Sequence, residues 1–251
     1  MMKLDFKKIT FAFAVAAMFA GCCDCDKPLR MVTEATFPPY EYVRGHEIVG
    51  VDVEICKTVA KKLGRPFKCE TTDFDTVLPL IVGGRADIAA SGLTITEDRK
   101  KEVDFSIPYV KTGIVVVFKK SRPYAKNEDL KGKKVGVQGG STSEAYVLER
   151  LGQEPARFAS PLAAVAALKA GIVDFVIADL EPAKHAVKDD ADLALSDYLT
   201  SEEYGVAIRK GQPELLKVIN ETIAEVKANG KLNTWLIAYK AESDHMDLTE
   251  K

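Results

Sequence analysis

The sequence of 251 residues carries 35 basic and 37 acidic side chains, a formal charge of −2. Hydrophobic residues make up 47% and charged residues 29%, which is the composition of a globular chain and not of a disordered or fibrous one. The near balance of charge offers no clustered basic face, so nucleic acid is excluded as a partner.

At the N-terminus Lys3, Lys7 and Lys8 precede an apolar run over 9–20 that ends at Gly21 and Cys22. A basic start, a short apolar core and small residues make a secretory signal, expected over 1–21. The run is shorter than the roughly 20 apolar residues of a membrane span. Phe19-Ala20-Gly21-Cys22 resembles the bacterial lipobox, whose cysteine is acylated. Cys22 is therefore the expected lipidation site, 22–28 a tether, and the protein exported and held at a membrane. An ordinary signal peptide with a chance cysteine is the alternative. Cys23 and Cys25 lack the histidines or second cysteine pair that a zinc site needs and read as part of the tether.

From there the periodicity alternates. A strand is expected over 29–34, then a helix over 51–63 with apolar Val51, Ile55, Val59 and Leu63, stopped by Gly64. A strand over 67–71 follows, then a helix capped by Asp75, with Pro79 in its first turn, running to Val82. A short strand over 87–90 leads to Thr96, the cap of an acidic helical turn. Strands over 113–118 and 134–138, helices over 142–151 and 162–170, and a strand over 175–178 continue the pattern. A strand over 204–208 precedes helices over 213–229 and 232–240. Cys56 and Cys69 flank the turn at Gly64, each roughly 10 Å from it by helix and strand rise. In an exported protein a disulfide between them is expected; two buried free thiols are the alternative.

Strand and helix alternate twice, over 29–90 and 134–178, which implies mostly parallel α/β sheets in two lobes. Ligands of such sheets lie outside the carboxyl ends of the strands. That rule selects the loops after Glu34, Thr71, Ala90, Gln138 and Ala178. They carry Phe37-Pro38-Pro39-Tyr40-Glu41, Ser91-Gly92-Leu93-Thr94, Gly139-Gly140-Ser141-Thr142 and Asp179. The glycine loop lacks the lysine of a nucleotide-binding P-loop. His46, His185 and His245 are scattered, no Gly-x-Ser-x-Gly elbow is present, and no metal or cofactor is called for.

Five segments taken together resemble the polar amino-acid binding proteins of ABC importers. They are Glu34-Ala35-Thr36-Phe37-Pro38-Pro39-Tyr40-Glu41, Val49-Gly50-Val51-Asp52, Gly92-Leu93-Thr94-Ile95-Thr96 with Arg99, Asp104-Phe105-Ser106-Ile107-Pro108-Tyr109, and 130–137 followed by Gly140-Ser141-Thr142 and Asp179. The resemblance implies a two-lobe type II periplasmic-binding clamshell with crossovers near 110–114 and 203–207. Lobe 1 would comprise 29–111 and 206–251, and lobe 2 would comprise 112–205. It implies a monomer that is not an enzyme, whose partners are a free amino acid and the transporter permease. Carried over by position, Arg99 pairs with the ligand carboxylate, as a guanidinium does in two parallel bonds. The N–H groups of Thr94 and Thr142 add donors, Asp179 takes the α-ammonium, and Gly92 and Thr94 supply acceptors. Phe37 and Phe74 sandwich the ligand side chain, while Glu34, Ser91 and Gln138 tune its choice. Glu34, with no basic residue left at these positions, favours arginine, then lysine or ornithine; glutamine is the alternative. Two other readings remain: a cyclohexadienyl dehydratase with Glu181 as its acid, and a ligand-sensing module.

Overall fold

A computed structural model describes residues 27–245. The expected signal, Cys22, Cys23 and Cys25 lie outside the described residues. The chain opens with β1 (Leu29–Thr33) and a meander of β2 (Thr36–Phe37), β3 (Glu41–Arg44) and β4 (Glu47–Val49). It continues through α1 (Val51–Lys62), β5 (Phe67–Thr71), α2 (Phe74–Val82), β6 (Ile88–Ala89), α3 (Glu97–Glu102) and β7 (Val103–Phe105). The crossover β8 (Val110–Thr112) leads to β9 (Ile114–Lys119), β10 (Val135–Gln138), α4 (Thr142–Tyr146), β11 (Ala156–Phe158), α5 (Pro161–Lys169), β12 (Phe175–Asp179), α6 (Leu180–Val187) and β13 (Leu193–Leu195). A second crossover, β14 (Glu202–Tyr204), returns to β15 (Ala207–Arg209), α7 (Pro213–Ala228) and α8 (Lys231–Ser243).

These elements make a two-lobe α/β clamshell. The first sheet runs β5-β1-β6-β15-β7 and the second β11-β10-β12-β9-β13. β5, β1 and β6 are parallel, as are β11, β10 and β12. β15 and β9 enter antiparallel, because each arrives from a crossover and not from a covering helix. The crossovers pair with each other, Glu202 opposite Thr112 and Tyr204 opposite Val110.

Each sheet is covered on both faces. Ile55 and Val59 of α1, Ile219 and Ile223 of α7 and Trp235 of α8 pack with Leu29, Met31, Ile88 and Ile208. Val77 and Ile81 of α2 cover the other face, against Val32, Ala89 and Ala207. In lobe 2 Val115 and Val117 face α5, while Ile114 and Val116 face Val137, Val147 and Ile177. β9 is thus apolar on both faces, as a central strand must be, and each such buried side chain contributes about 1.5–3 kcal/mol.

Three local expectations are corrected. α2 starts at Phe74 with Asp73 at its cap, and Pro79 lies inside it; this start aligns Val77 and Ile81, four apart, on the buried face. The helix expected over 142–151 changes after Tyr146 to a wide π turn over Val147–Leu151, closed by left-handed Gly152 at φ 64°. The expected Cys56–Cys69 bridge is not made, and both are free thiols. Cys56 is buried in the α1 cluster that Cys69 packs against. Burial pushes the Cys56 thiol well up and that of Cys69 to about 12, so neither supplies the thiolate that exchange requires.

Candidate functional site

β6 ends in the loop Ser91-Gly92-Leu93-Thr94. Ser91 Oγ accepts the Glu34 N–H at 2.9 Å and donates to Glu41 Oε1 at 3.1 Å. The Gly92 N–H donates to Asp52 Oδ2 at 3.0 Å. Gly92 stands at φ +52°, and a Cβ there would lie 2.6 Å from the Phe37 ring, so glycine is required twice over. Glu41 and Asp52 are fully buried. Burial, then the neighbouring Asp52, pushes the Glu41 carboxyl well up, and burial lifts that of Asp52 to about 6. This pair forms the rear support of the loop.

Thr94 pairs with Tyr204 in an isolated antiparallel bridge. The flanking bonds run from Ile95 N–H to Glu203 O and from Gly205 N–H to Leu93 O. In such a pair the residue's own N–H and C=O point away from the partner strand. The Thr94 C=O accepts Arg99 Nη1 at 2.8 Å, so the Thr94 N–H emerges on the same side as Arg99. Arg99 rides on α3, whose cap Thr96 accepts the Arg99 N–H at 3.2 Å. Its Nη2 donates to Gly140 O of lobe 2 at 3.1 Å. Its guanidinium lies 5.6 Å from the centre of the Phe74 ring, a cation–π contact worth about 0.5–2 kcal/mol.

From lobe 2, β10 ends at Gln138 and α4 opens at Thr142 behind its cap Ser141, whose Oγ accepts the Glu144 N–H at 3.2 Å. As first helical residue, Thr142 has an N–H without an intrahelical acceptor. Asp179 ends β12 and is 7% exposed. It holds the cap position of α6 but makes no side-chain cap bond; its Oδ1 accepts the Tyr204 hydroxyl at 2.6 Å instead. Burial, then the charge of Glu202, raises the Asp179 carboxyl to about 7, against the opposing pull of Tyr204 and Arg99.

The expected residues thus divide. Thr94, Arg99, Thr142 and Asp179 converge where the lobes face each other, linked through Glu202, Gly140 O and Tyr204, while Ser91 and Gly92 precede Thr94 on its loop and bond Glu41 and Asp52 within lobe 1. Glu34 and Gln138 are buried at the ends of their strands; Glu34 Oε1 accepts the Thr36 hydroxyl at 2.6 Å, and Gln138 Nε2 donates to Ala159 O at 3.0 Å. The two phenylalanines separate. Phe37 packs with Tyr40 and Tyr204, ring centres 5.8 and 6.1 Å away, whereas Phe74 lies under Arg99 in the cluster on the opposite face of the sheet. An open cavity of about 340 Å³ borders Thr94 and Thr142 beside the crossovers and is lined by Thr200, Glu202 and Lys111 among others, with Arg99 and Asp179 outside its lining. Glu202 and Tyr204 escaped the sequence reading, because only the β8–β14 pairing carries them to the site. Glu41 and Asp52 stood within quoted motifs, but nothing local marks them as the loop's support. Among the described residues no three His, Cys, Asp or Glu side chains gather as a metal site.

Comparison with known proteins gives one consistent result. The family model for bacterial extracellular solute-binding proteins, family 3, matches residues 29–240. The arginine-binding extracellular protein ArtP of Bacillus subtilis is 35% identical over 89% of this chain and 91% of its own. A mutant of ArgBP from T. maritima superposes with a TM-score of 0.80 at 38% identity, covering 85% of this chain and 95% of that one. An ancestral arginine-binding protein bound to arginine gives 0.78 at 41% identity, over 84% and 97%; the form bound to glutamine gives 0.77 at 40%, over the same shares.

Proposed function

The chain belongs to the bacterial extracellular solute-binding proteins, family 3, and from that premise we propose that it captures a free L-amino acid between its lobes and delivers it to the permease of an ABC importer. We assign 29–111 with 206–251 to lobe 1 and 112–205 to lobe 2. One observation carries the reading: the Arg99 guanidinium and the Asp179 carboxyl face one cleft from opposite lobes, with the N–H groups of Thr94 and Thr142 beside them. A zwitterion fits that arrangement. Its carboxylate takes Arg99 and the two N–H groups, and its ammonium takes Asp179, the Gly92 carbonyl and the Thr94 hydroxyl.

Arginine is the proposed ligand. Glu34 supplies a buried acceptor, Phe37 supplies an aromatic face, and none of the assigned residues offers a cation to an acidic side chain. The relatives named for arginine support this choice. Glutamine is the second reading, supported by the ancestral protein bound to glutamine. A thermal-shift panel of the common amino acids decides between them. A ligand at 100 times its Kd stabilises by about 2.7 kcal/mol, or roughly 5–11 °C for a chain of this size. Arginine is expected to give the largest shift, and Glu34→Gln to shrink it while sparing any response to glutamine. A larger shift with glutamine overturns the basic-ligand reading.

The dehydratase reading loses its acid. Glu181 bonds Lys240 at 2.8 Å and Lys184 at 2.9 Å. Burial raises its carboxyl, but the two lysines outweigh burial and hold it below the usual range, so no proton is at hand for an acid step at neutral pH. Turnover of prephenate by the purified protein would restore that reading. The lipobox-like segment supports export and anchoring through Cys22, at the periplasmic or outer face of a membrane. Cys22→Ser is expected to move the protein from the membrane fraction to the soluble one or to leave the precursor uncleaved; a wild-type protein whose mass lacks a lipid contradicts the anchor.

A further inference from the structure

Glu202 lies on the second crossover, outside every residue so far assigned to the ligand. It is 7% exposed, yet it is not walled in by cations. Its Oε2 accepts the Thr94 hydroxyl at 2.7 Å and the Thr142 hydroxyl at 3.0 Å, one from each lobe. Its Oε1 accepts the Thr200 hydroxyl at 3.2 Å. A hydroxyl has one proton to give and two lone pairs to receive with. With both protons committed to Glu202, the Thr94 and Thr142 hydroxyls have only lone pairs left for a ligand. The same two residues carry the N–H groups proposed for the ligand carboxylate. Hydroxyl and amide on each threonine therefore have fixed and opposite roles.

We infer that Glu202 is a positioning residue for recognition of the α-ammonium. By taking the hydroxyl protons of Thr94 and Thr142 it turns both hydroxyls into acceptors, and its negative charge, beside that of Asp179, favours a cationic group at that end of the cleft. This rests on the amino-acid receptor reading and deepens it. The groups that face Asp179 are Tyr204 and Glu202 from β14, Arg99 from α3 and Tyr40 from the β2–β3 turn. Around Glu202 the polar neighbours are the three threonines, Asp179, Arg99 and Tyr204, with Lys111 on the cavity rim. Glu202 is the like charge that helps hold Asp179 near 7 after burial. Ammonium binding needs Asp179 ionised, so wild-type affinity falls as pH drops through that value, by up to about tenfold per pH unit.

The test uses Glu202→Gln, with Glu202→Ala as a second variant in case the first fails to fold. Calorimetry compares arginine with the analogue that lacks the α-amino group. In each variant, arginine is expected to weaken about tenfold, the worth of one hydrogen bond to a charged group, while the analogue changes little. In Glu202→Gln the pH at which arginine affinity begins to fall moves lower. In parallel, carbon NMR of the ligand-free protein reads the Asp179 carboxyl directly, and its midpoint falls in Glu202→Gln. Equal loss for both ligands, with an unmoved pH profile and an unmoved Asp179 midpoint, leaves Glu202 a mere lobe joint and overturns the proposal. If the wild type binds no amino acid, the receptor reading falls and the ammonium role of Glu202 falls with it, whereas wild-type binding with equal losses in the variants overturns the role of Glu202 alone.

Discussion

Arg99→Ala is expected to abolish measurable arginine binding. The guanidinium is enclosed by Phe74, Thr94 O and Gly140 O, and a ligand carboxylate brought there is desolvated on arrival. Removing one partner of a buried ion pair costs about 3–5 kcal/mol, roughly two to three and a half powers of ten in Kd. The substitution also deletes the bond from lobe 1 to Gly140 O, so closure itself is weakened. Arg99→Lys keeps the charge but loses the planar fork, and an intermediate Kd is expected. Isothermal titration reads all three proteins. Retention of near wild-type affinity in Arg99→Ala removes Arg99 from the site.

The second large effect lies in the joint between the lobes. Gly113 separates β8 from β9, and a Cβ there would stand 2.0 Å from Thr200 O and 2.7 Å from the Tyr198 ring. Thr200 O is backbone, so Gly113→Ala forces the two crossover segments apart. Overpacking of this kind costs about 1–3 kcal/mol and sometimes more; 3 kcal/mol is roughly 6–12 °C in Tm for a chain of this size. The displaced segment carries Thr200 and Glu202, so arginine affinity falls together with stability. A melting temperature equal to that of the unsubstituted protein contradicts this steric account.

The sequence and the structure agree where the information is local. Val51, Ile55 and Val59 mark α1 by their spacing, Gly64 ends it, and Thr96 caps α3 as expected. The loops after the parallel strands hold Thr94, Thr142 and Asp179 because chain direction alone fixes that end of a sheet. What depends on pairing between distant segments was not legible. The meander β2–β4 and the edge strands β11 and β13 are too short to show a period, and β11 and β13 are held by neighbours that only the fold supplies. The return of β15, α7 and α8 to the first sheet came from the family resemblance and from no pattern in the residues. The stacking of Phe74 on Arg99, and the reach of Glu202 to both lobes, join residues 25 and more positions apart in the chain.

The antiparallel pairing of β8 with β14 has a mechanical consequence. A two-stranded ribbon is stiff along its width and yields across its face, so the lobes swing about one axis, as levers on a common fulcrum. Displacement then grows with distance from that fulcrum. Thr142 and Asp179 are tied to Glu202 and Tyr204 of β14 and travel little. The rim of lobe 2, farther out, sweeps the wider arc. On this geometry an opening of the clamshell parts it at its lip and leaves its floor nearly still.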